Sequence, residues 1–178
     1  MYNSVLNFWF IELTPKDWFS PSEEIDNVLR EKFSDLHERA LRCELFDYRS
    51  TAEGRLAEIL ILDQFSRNIY RNSPRAFAAD PLALALAQVA VNAGADKQLS
   101  IGQRSFIYMP FMHSESLLIH EEAIKLFSQS GLEGGLDFEK RHKKILEKYG
   151  RYPHRNQILG RASTPEEIEF LKQPGSGF

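Results

Sequence analysis

The fold is decided by residues 59–71, which read ILILDQFSRNIYR. In a helix, successive side chains point about 100° apart, so the four aliphatic residues 59–62 face every direction around the axis. All four must therefore be covered by other parts of the chain. We predict a central buried helix that other helices surround, with residues 59–69 as the most buried segment.

The second half of the same stretch is polar. Asp63, Arg67 and Arg71 recur every fourth residue, on the helix face that Leu56 and Leu60 occupy one or two turns earlier. An apolar face thus becomes a charged face within one helix. This change indicates either the wall of a pocket or a helix end that emerges into solvent, and the sequence leaves both interpretations open.

The rest of the chain has the pattern of further helices. Their predicted starts lie near residues 21, 51, 81, 110, 135 and 164, a spacing of roughly 30 residues that is typical of antiparallel helices stacked in sequence. No stretch has the alternation of apolar and polar residues that predicts a half-buried strand. We predict an all-α fold of about six helices with no sheet, and residues 1–178 as a single domain.

Composition argues against several classes of partner. With 22 basic and 25 acidic residues the formal charge is −3, which gives no overall attraction to nucleic acid or to an anionic membrane. No run reaches the ~18 apolar residues of a membrane span, and residues 1–10 lack the basic start and cleavage site of a secretory signal. We expect no nucleic-acid partner, no membrane partner and a cytoplasmic location.

Cys43 is the only cysteine, so the sequence contains neither a disulfide framework nor a zinc motif of paired cysteines. It continues the apolar stripe of Ile25, Leu29, Leu36 and Ala40. We expect Cys43 to be a buried, unreactive core residue.

Arginines are the most distinctive residues of the candidate site. Arg67 and Arg71 end the central helix, and Arg151 and Arg155 lie in a basic loop near the C-terminus. Guanidinium groups bind carboxylates and phosphates through paired hydrogen bonds. If the helix end and the loop meet, they form an anion site. The alternative is structural, with Asp63 pairing with Arg67 and the loop arginines bonded to nearby helix carbonyls.

Histidines are candidates for acid–base chemistry. A predicted helix over about residues 110–128 places His113 and His120 on one apolar face, His142 lies on the next helix, and His154 is in the basic loop. Such imidazoles either bind a metal or move protons, or they are core residues bonded to backbone carbonyls. We take His113 and His154 as catalytic candidates and predict no metal site and no cofactor.

The candidate ligand-binding set joins these groups with their polar neighbours. It comprises Asp63, Gln64, Arg67, Asn68, Arg71, Tyr108, His113, Arg151, His154, Arg155 and Asn156. We predict that the helix end and residues 151–156 converge on one cavity, because one nearby aspartate cannot neutralise two buried arginines.

Several motifs together resemble a known family. They are LDQFSRNIYR at 62–71, YMPFMHSE at 108–115, GRYPHRN at 150–156, LGR at 159–161, STPEE at 163–167 and FWF at 8–10. In this order, over nearly the whole chain, they are similar to the bacterial family known as domain of unknown function 924. The resemblance implies an all-helical, tetratricopeptide-like fold, in which antiparallel helices stack in a right-handed superhelical array. It brings no established activity. Ser66 stands where many relatives have proline, which favours continuation of the helix.

Three functions are compatible with these residues. The first is a soluble helical protein that binds a small phosphate- or carboxylate-bearing molecule, with catalysis by His113 or His154 left open. The second is a tetratricopeptide-like adaptor that holds a peptide or its C-terminal carboxylate. The third is a metal-dependent hydrolase that uses the histidines with Asp63 or Glu115. The sequence does not indicate the oligomeric state.

Overall fold

The computed structural model describes residues 2–177, and within that range it contains helices and turns but no strand. The all-α prediction is confirmed. In the first half the helices are α1 (Asn3–Asn7), α2 (Pro15–Trp18), α3 (Glu23–Leu41), α4 (Ala52–Leu60), α5 (Ser66–Ile69) and α6 (Arg75–Ala78). In the second half they are α7 (Asp80–Asn92), α8 (Ile101–Met112), α9 (Leu117–Phe127), α10 (Glu133–Tyr149) and α11 (Pro165–Leu171). Short 3₁₀ turns lie at Phe46–Ser50, Asp96–Gln98 and Pro153–Arg155.

The central helix consists of α4 and α5, joined without a break by a π-helical turn at Ile61–Phe65. Thr51 caps it, because its hydroxyl accepts a hydrogen bond from the Gly54 amide at 3.0 Å. Residues 56–66 are buried without interruption. Helices α3, α7 and α8 pack around this segment, so the predicted enclosure of the aliphatic run is confirmed.

Successive helices of the second half pack against each other in chain order. Helix α8 contacts α7 and α9, and α9 contacts α10. This sequential packing fits the tetratricopeptide-like arrangement, while the right-handed superhelical form and the single domain stay predictions. Among the described residues no helix has both the length and the apolar content that a membrane span requires.

The predicted single helix over residues 110–128 is wrong, because the structure has two helices there. Helix α8 begins at Ile101, where Ser100 and Gln103 form a capping box, and Pro110 lies inside it. Proline fits helical backbone angles, but inside a helix it removes one hydrogen bond, here to the carbonyl of Phe106, and its ring crowds that carbonyl. The break follows at residues 113–116, and α9 begins at Leu117.

The prediction that Cys43 is buried is also wrong, because its side chain is exposed. Helix α3 ends at Leu41, and Cys43 adopts a left-handed backbone conformation with φ of 58°. This conformation ends the helix, so Cys43 does not continue the apolar stripe of α3.

We therefore expect Cys43 of the native protein to react with a colorimetric thiol reagent about as fast as in the unfolded chain. The physical reason is that the reagent reaches the sulfur without any opening of the structure. The two rates are measured in buffer and in concentrated urea at the same pH. Native-state protection of about tenfold or more would contradict the exposed position.

Candidate functional site

A π-helical turn carries the buried aspartate of the candidate site. In such a turn the hydrogen bonds run from residue i to i+5, and π turns are frequent at functional sites. Asp63 lies within the turn and is buried. Its Oδ1 bonds His113 Nδ1 at 2.6 Å, its Oδ2 accepts from Gln64 Nε2 at 2.5 Å, and Arg67 Nη1 lies 3.3 Å from Oδ1. Asp63 therefore links His113 to Arg67.

Two arginines from distant parts of the sequence meet on one carboxylate. Arg67 donates to both oxygens of Asp80 at 3.0 Å each, and Arg155 Nη1 donates to Oδ2 of the same group at 3.3 Å. Arg155 Nη2 also donates to the carbonyl oxygen of His113 at 3.0 Å. The Phe77 ring lies against both guanidinium groups, with its centre 4.6 Å from Arg155 and 5.7 Å from Arg67.

These contacts define a compact group that we call the polar cluster: Asp63, Arg67, Asp80, His113 and Arg155. The end of the central helix and the C-terminal loop thus meet through Arg67 and Arg155. The cluster reaches the surface, because the side chains of Arg67, His113 and Asp80 are 21%, 16% and 15% exposed.

Burial and charge set the protonation states of the cluster. Burial would raise the pKa of Asp63, but Arg67 and His113 outweigh burial and hold that pKa below its ordinary value. Burial and the charge of Arg67 lower the pKa of His113. The pKa of Arg155 is lowered by burial and by Arg67, with Asp80 opposing both. At neutral pH Asp63 is therefore ionised and His113 neutral, while Arg155 keeps its charge.

The partner of His113 decides which of its nitrogens carries the proton. Ionised Asp63 can only accept hydrogen bonds, so the proton of the neutral imidazole lies on Nδ1. Nε2 then has a free lone pair. Across residues 2–177 no group donates to or accepts from this atom, and the ring is partly exposed. The cluster therefore offers an unprotonated imidazole nitrogen on a residue that shares Asp63 with Arg67 and bonds Arg155 through its carbonyl oxygen.

Arg71 and Asn68 bind a carboxylate outside the polar cluster. Arg71 donates to Asp26 through Nε at 2.5 Å and Nη2 at 2.7 Å, and Asn68 Nδ2 donates to the same carboxylate at 2.8 Å. The prediction that Arg71 shares a cavity with Arg67 and Arg155 is wrong. Helix α5 ends at Ile69, so Arg71 no longer lies on the helix face of Arg67.

Tyr108 also lies outside the polar cluster. It is buried and donates to Asp96 Oδ2 at 2.6 Å, and its oxygen accepts from Gln129 Nε2 at 2.9 Å. Burial and the bond to Asp96 raise the pKa of Tyr108 to about 12. These contacts tie α8 to the turn Asp96–Gln98 and to Gln129. Gln64, by contrast, adjoins the cluster because it bonds Asp63.

The other residues of the C-terminal loop hold Arg155 in position. Arg151 donates to Glu167 through Nε at 2.7 Å and Nη2 at 2.8 Å, and Asn156 Nδ2 donates to Glu167 Oε2 at 3.1 Å. Arg161 donates to Glu115 at 2.6 and 2.9 Å. Arg151 and Asn156 are therefore engaged with Glu167 and not with the polar cluster.

The other histidines considered in the sequence analysis, His120, His142 and His154, are largely or fully buried. His120 Nδ1 bonds Glu139 Oε1 at 2.5 Å and its Nε2 donates to the Ser114 carbonyl at 2.8 Å, while His142 Nδ1 donates to the Phe138 carbonyl at 2.8 Å. The ring of His154 lies against Tyr152, with 5.6 Å between ring centres, and burial together with Arg155 lowers the pKa of His154 to about 4. In the part of the chain that the structure describes, no group of three or more histidine, cysteine, aspartate or glutamate side chains is arranged to hold a metal ion.

Sequence reasoning missed Asp80 and Phe77. Asp80 precedes Pro81, and this pair predicts only the start of a helix, which is where α7 begins. Its carboxylate binds the two arginines, as described above. The sequence did carry one signal for such a residue. Two arginines that meet need more negative charge than one aspartate supplies, so another element must provide a carboxylate.

Comparison with known proteins gives the family. Residues 5–175 match the family described as "bacterial protein of unknown function (DUF924)". A solved structure described as a protein of unknown function, ATU0120 from Agrobacterium tumefaciens, is 38% identical to the chain, with a TM-score of 0.90 and 96% of each chain covered. A search of curated proteins found no match. The family resemblance of the motifs is thereby confirmed.

Proposed function

The chain belongs to the bacterial DUF924 family, and since that family is of unknown function, we propose a function from the polar cluster itself. The protein binds a small molecule that carries a phosphate or a carboxylate group. The ligand's anionic group lies against Arg67 and Arg155, and His113 lies beside it.

The observation that supports this function is the buried guanidinium group of Arg155, whose donors do not all have an acceptor. Arg155 is 8% exposed at its side chain and shares its one carboxylate, Asp80, with Arg67. Its Nε has no hydrogen-bond partner among residues 2–177, although the atom is buried. A buried donor without an acceptor costs about 1–3 kcal/mol, so a ligand oxygen that accepts from this guanidinium group stabilises the arrangement.

Access to the cluster also supports the proposal. Arg67 and His113 each keep part of their side chain at the surface. A small ligand therefore reaches Arg67 and the imidazole from solvent without an opening of the helical core. Bidentate hydrogen bonds from a guanidinium to carboxylate or phosphate are the geometry that arginine favours.

The test is a thermal-shift titration of the wild type, Arg155→Lys and Arg71→Lys with phosphate and with small carboxylates. At about ten times its dissociation constant, a ligand stabilises by about 1.4 kcal/mol, which raises the Tm by about 3–6 °C. We expect this rise in the wild type and its loss in Arg155→Lys, because lysine cannot form the paired hydrogen bonds of a guanidinium.

Arg71→Lys is the matched control. It makes the same arginine-to-lysine change, but Arg71 follows the end of the central helix and is paired with Asp26 outside the polar cluster. The control variant should keep the full ligand-dependent shift even if its own Tm is lower. An equal shift in Arg155→Lys and wild type would place the ligand elsewhere, and no shift with any of the anions would contradict the proposed function.

A further inference from the structure

His113 is linked to both arginines of the polar cluster. Its Nδ1 and Arg67 Nη1 approach the same oxygen of Asp63, at 2.6 and 3.3 Å. Its carbonyl oxygen accepts from Arg155 Nη2 at 3.0 Å. Arg155 is thus bonded to His113 itself, and Arg67 to the aspartate that His113 bonds. A ligand that contacts Arg67 therefore also has the imidazole within reach.

The chemistry of His113 Nε2 restricts what such a ligand can be. The proton of the ring is held on Nδ1 by Asp63, so Nε2 is an acceptor and needs a donor. Carboxylates and phosphate dianions are themselves acceptors at neutral pH. An anion without a donor group would leave the Nε2 lone pair unsatisfied, or would put two acceptors face to face, which is unfavourable in a partly buried site.

From this geometry we infer that the ligand is a small hydroxy-substituted anion, whose carboxylate or phosphate contacts the arginines while its neighbouring hydroxyl donates to His113 Nε2. This inference rests on the proposed function and narrows its ligand class. The hydroxyl and the anionic group lie within one small molecule's length of each other, because Asp63 Oδ1 holds both the His113 ring and Arg67 Nη1, with Nε2 across the ring from that oxygen. Hydroxy acids and phosphate esters of small polyols both meet this requirement.

Two pairs of probes, each differing only in a hydroxyl group, test the inference in the wild type. The pairs are lactate with propionate, and 2-hydroxyethyl phosphate with ethyl phosphate. Dissociation constants are measured by NMR titration of the uniformly ¹⁵N-labelled protein at neutral pH. We expect the hydroxylated member of at least one pair to bind about three- to tenfold more tightly, the effect of one additional hydrogen bond. The pair that shows the preference identifies the anionic group.

His113→Asn assigns the preference to Nε2. The asparagine amide can still donate to Asp63 in place of Nδ1, but it presents no acceptor at the position of Nε2. We expect both members of a pair to bind this variant with equal affinity. A preference that persists in the variant would overturn the assignment.

The outcomes separate this inference from the proposed function. Equal affinities within both pairs in the wild type would overturn the inference, while binding that depends on Arg155 would leave the anion site intact. Failure of all four probes to bind would contradict the proposed function itself. If His113→Asn does not fold, the wild-type pairs still decide whether the hydroxyl is recognised.

Discussion

Replacement of Leu60 by alanine is expected to lower the free energy of unfolding by about 2–5 kcal/mol. Leu60 is fully buried in the central helix, whose neighbours are α3, α7 and α8. The substitution removes most of a side chain that is enclosed on all sides, and the surrounding helices cannot close the cavity completely. Urea unfolding should show a lower midpoint with an unchanged slope, which is the signature of lost stability in a two-state transition.

The matched control is Leu118→Ala on α9, where the side chain is 75% exposed. The same chemical change at that position should alter the stability by no more than about 0.5 kcal/mol. An unfolding midpoint of Leu60→Ala equal to that of wild type would mean that the central helix is not enclosed as the structure shows.

The enclosure of the central helix was predictable because four consecutive aliphatic residues on a helix require cover in every direction. The π-helical turn within it was not predictable from the same residues. A π turn and an α turn differ in which carbonyl each amide reaches, and the choice depends on tertiary contacts. Here those contacts include the bond between Asp63 and His113, which are 50 residues apart.

Charge reasoning predicted part of the site and misplaced the rest. It correctly required additional partners for the arginines of the central helix, and it brought Arg67 and Arg155 together. Its error was to assume a single cavity. In the structure α3 supplies Asp26 for Arg71, and α7 supplies Asp80 for Arg67 and Arg155. Which helix faces which arginine is a property of the packing, and the sequence carries no local signal for it.

The errors at Pro110 and Cys43 share a different cause. In each case the apolar pattern of a helix was continued past the point where the helix begins or ends, and other residues set that point. The capping box of Ser100 and Gln103 starts α8 well before Pro110. The left-handed backbone at Cys43 ends the apolar stripe of α3. Helix caps and left-handed residues depend on one or two side chains and are weaker signals than a sustained apolar period.

Replacement of Asp80 by asparagine is expected to destabilise the protein and at the same time to strengthen its binding of phosphate. Asp80 is the carboxylate shared by Arg67 and Arg155. Without this carboxylate, the two positively charged guanidinium groups lose the negative charge that lies between them. Loss of one partner of such an ion pair costs about 3 kcal/mol, the lower end of the range, because this pair is partly exposed. Phosphate then replaces the lost charge, and its affinity should rise about tenfold or more.

Asp26→Asn separates this effect from a general loss of stability. Asp26 is the carboxylate of Arg71, and its removal leaves one arginine just beyond the central helix without its partner. If the polar cluster is the anion site, both variants unfold at lower urea concentration, but phosphate restores the stability of Asp80→Asn alone. The reason is that two guanidinium groups converge at Asp80, whereas Arg71 stands alone at Asp26. Equal responses of the two variants to phosphate would show that the anion compensates for any lost carboxylate, and the case for a specific site at Arg67 and Arg155 would then fail.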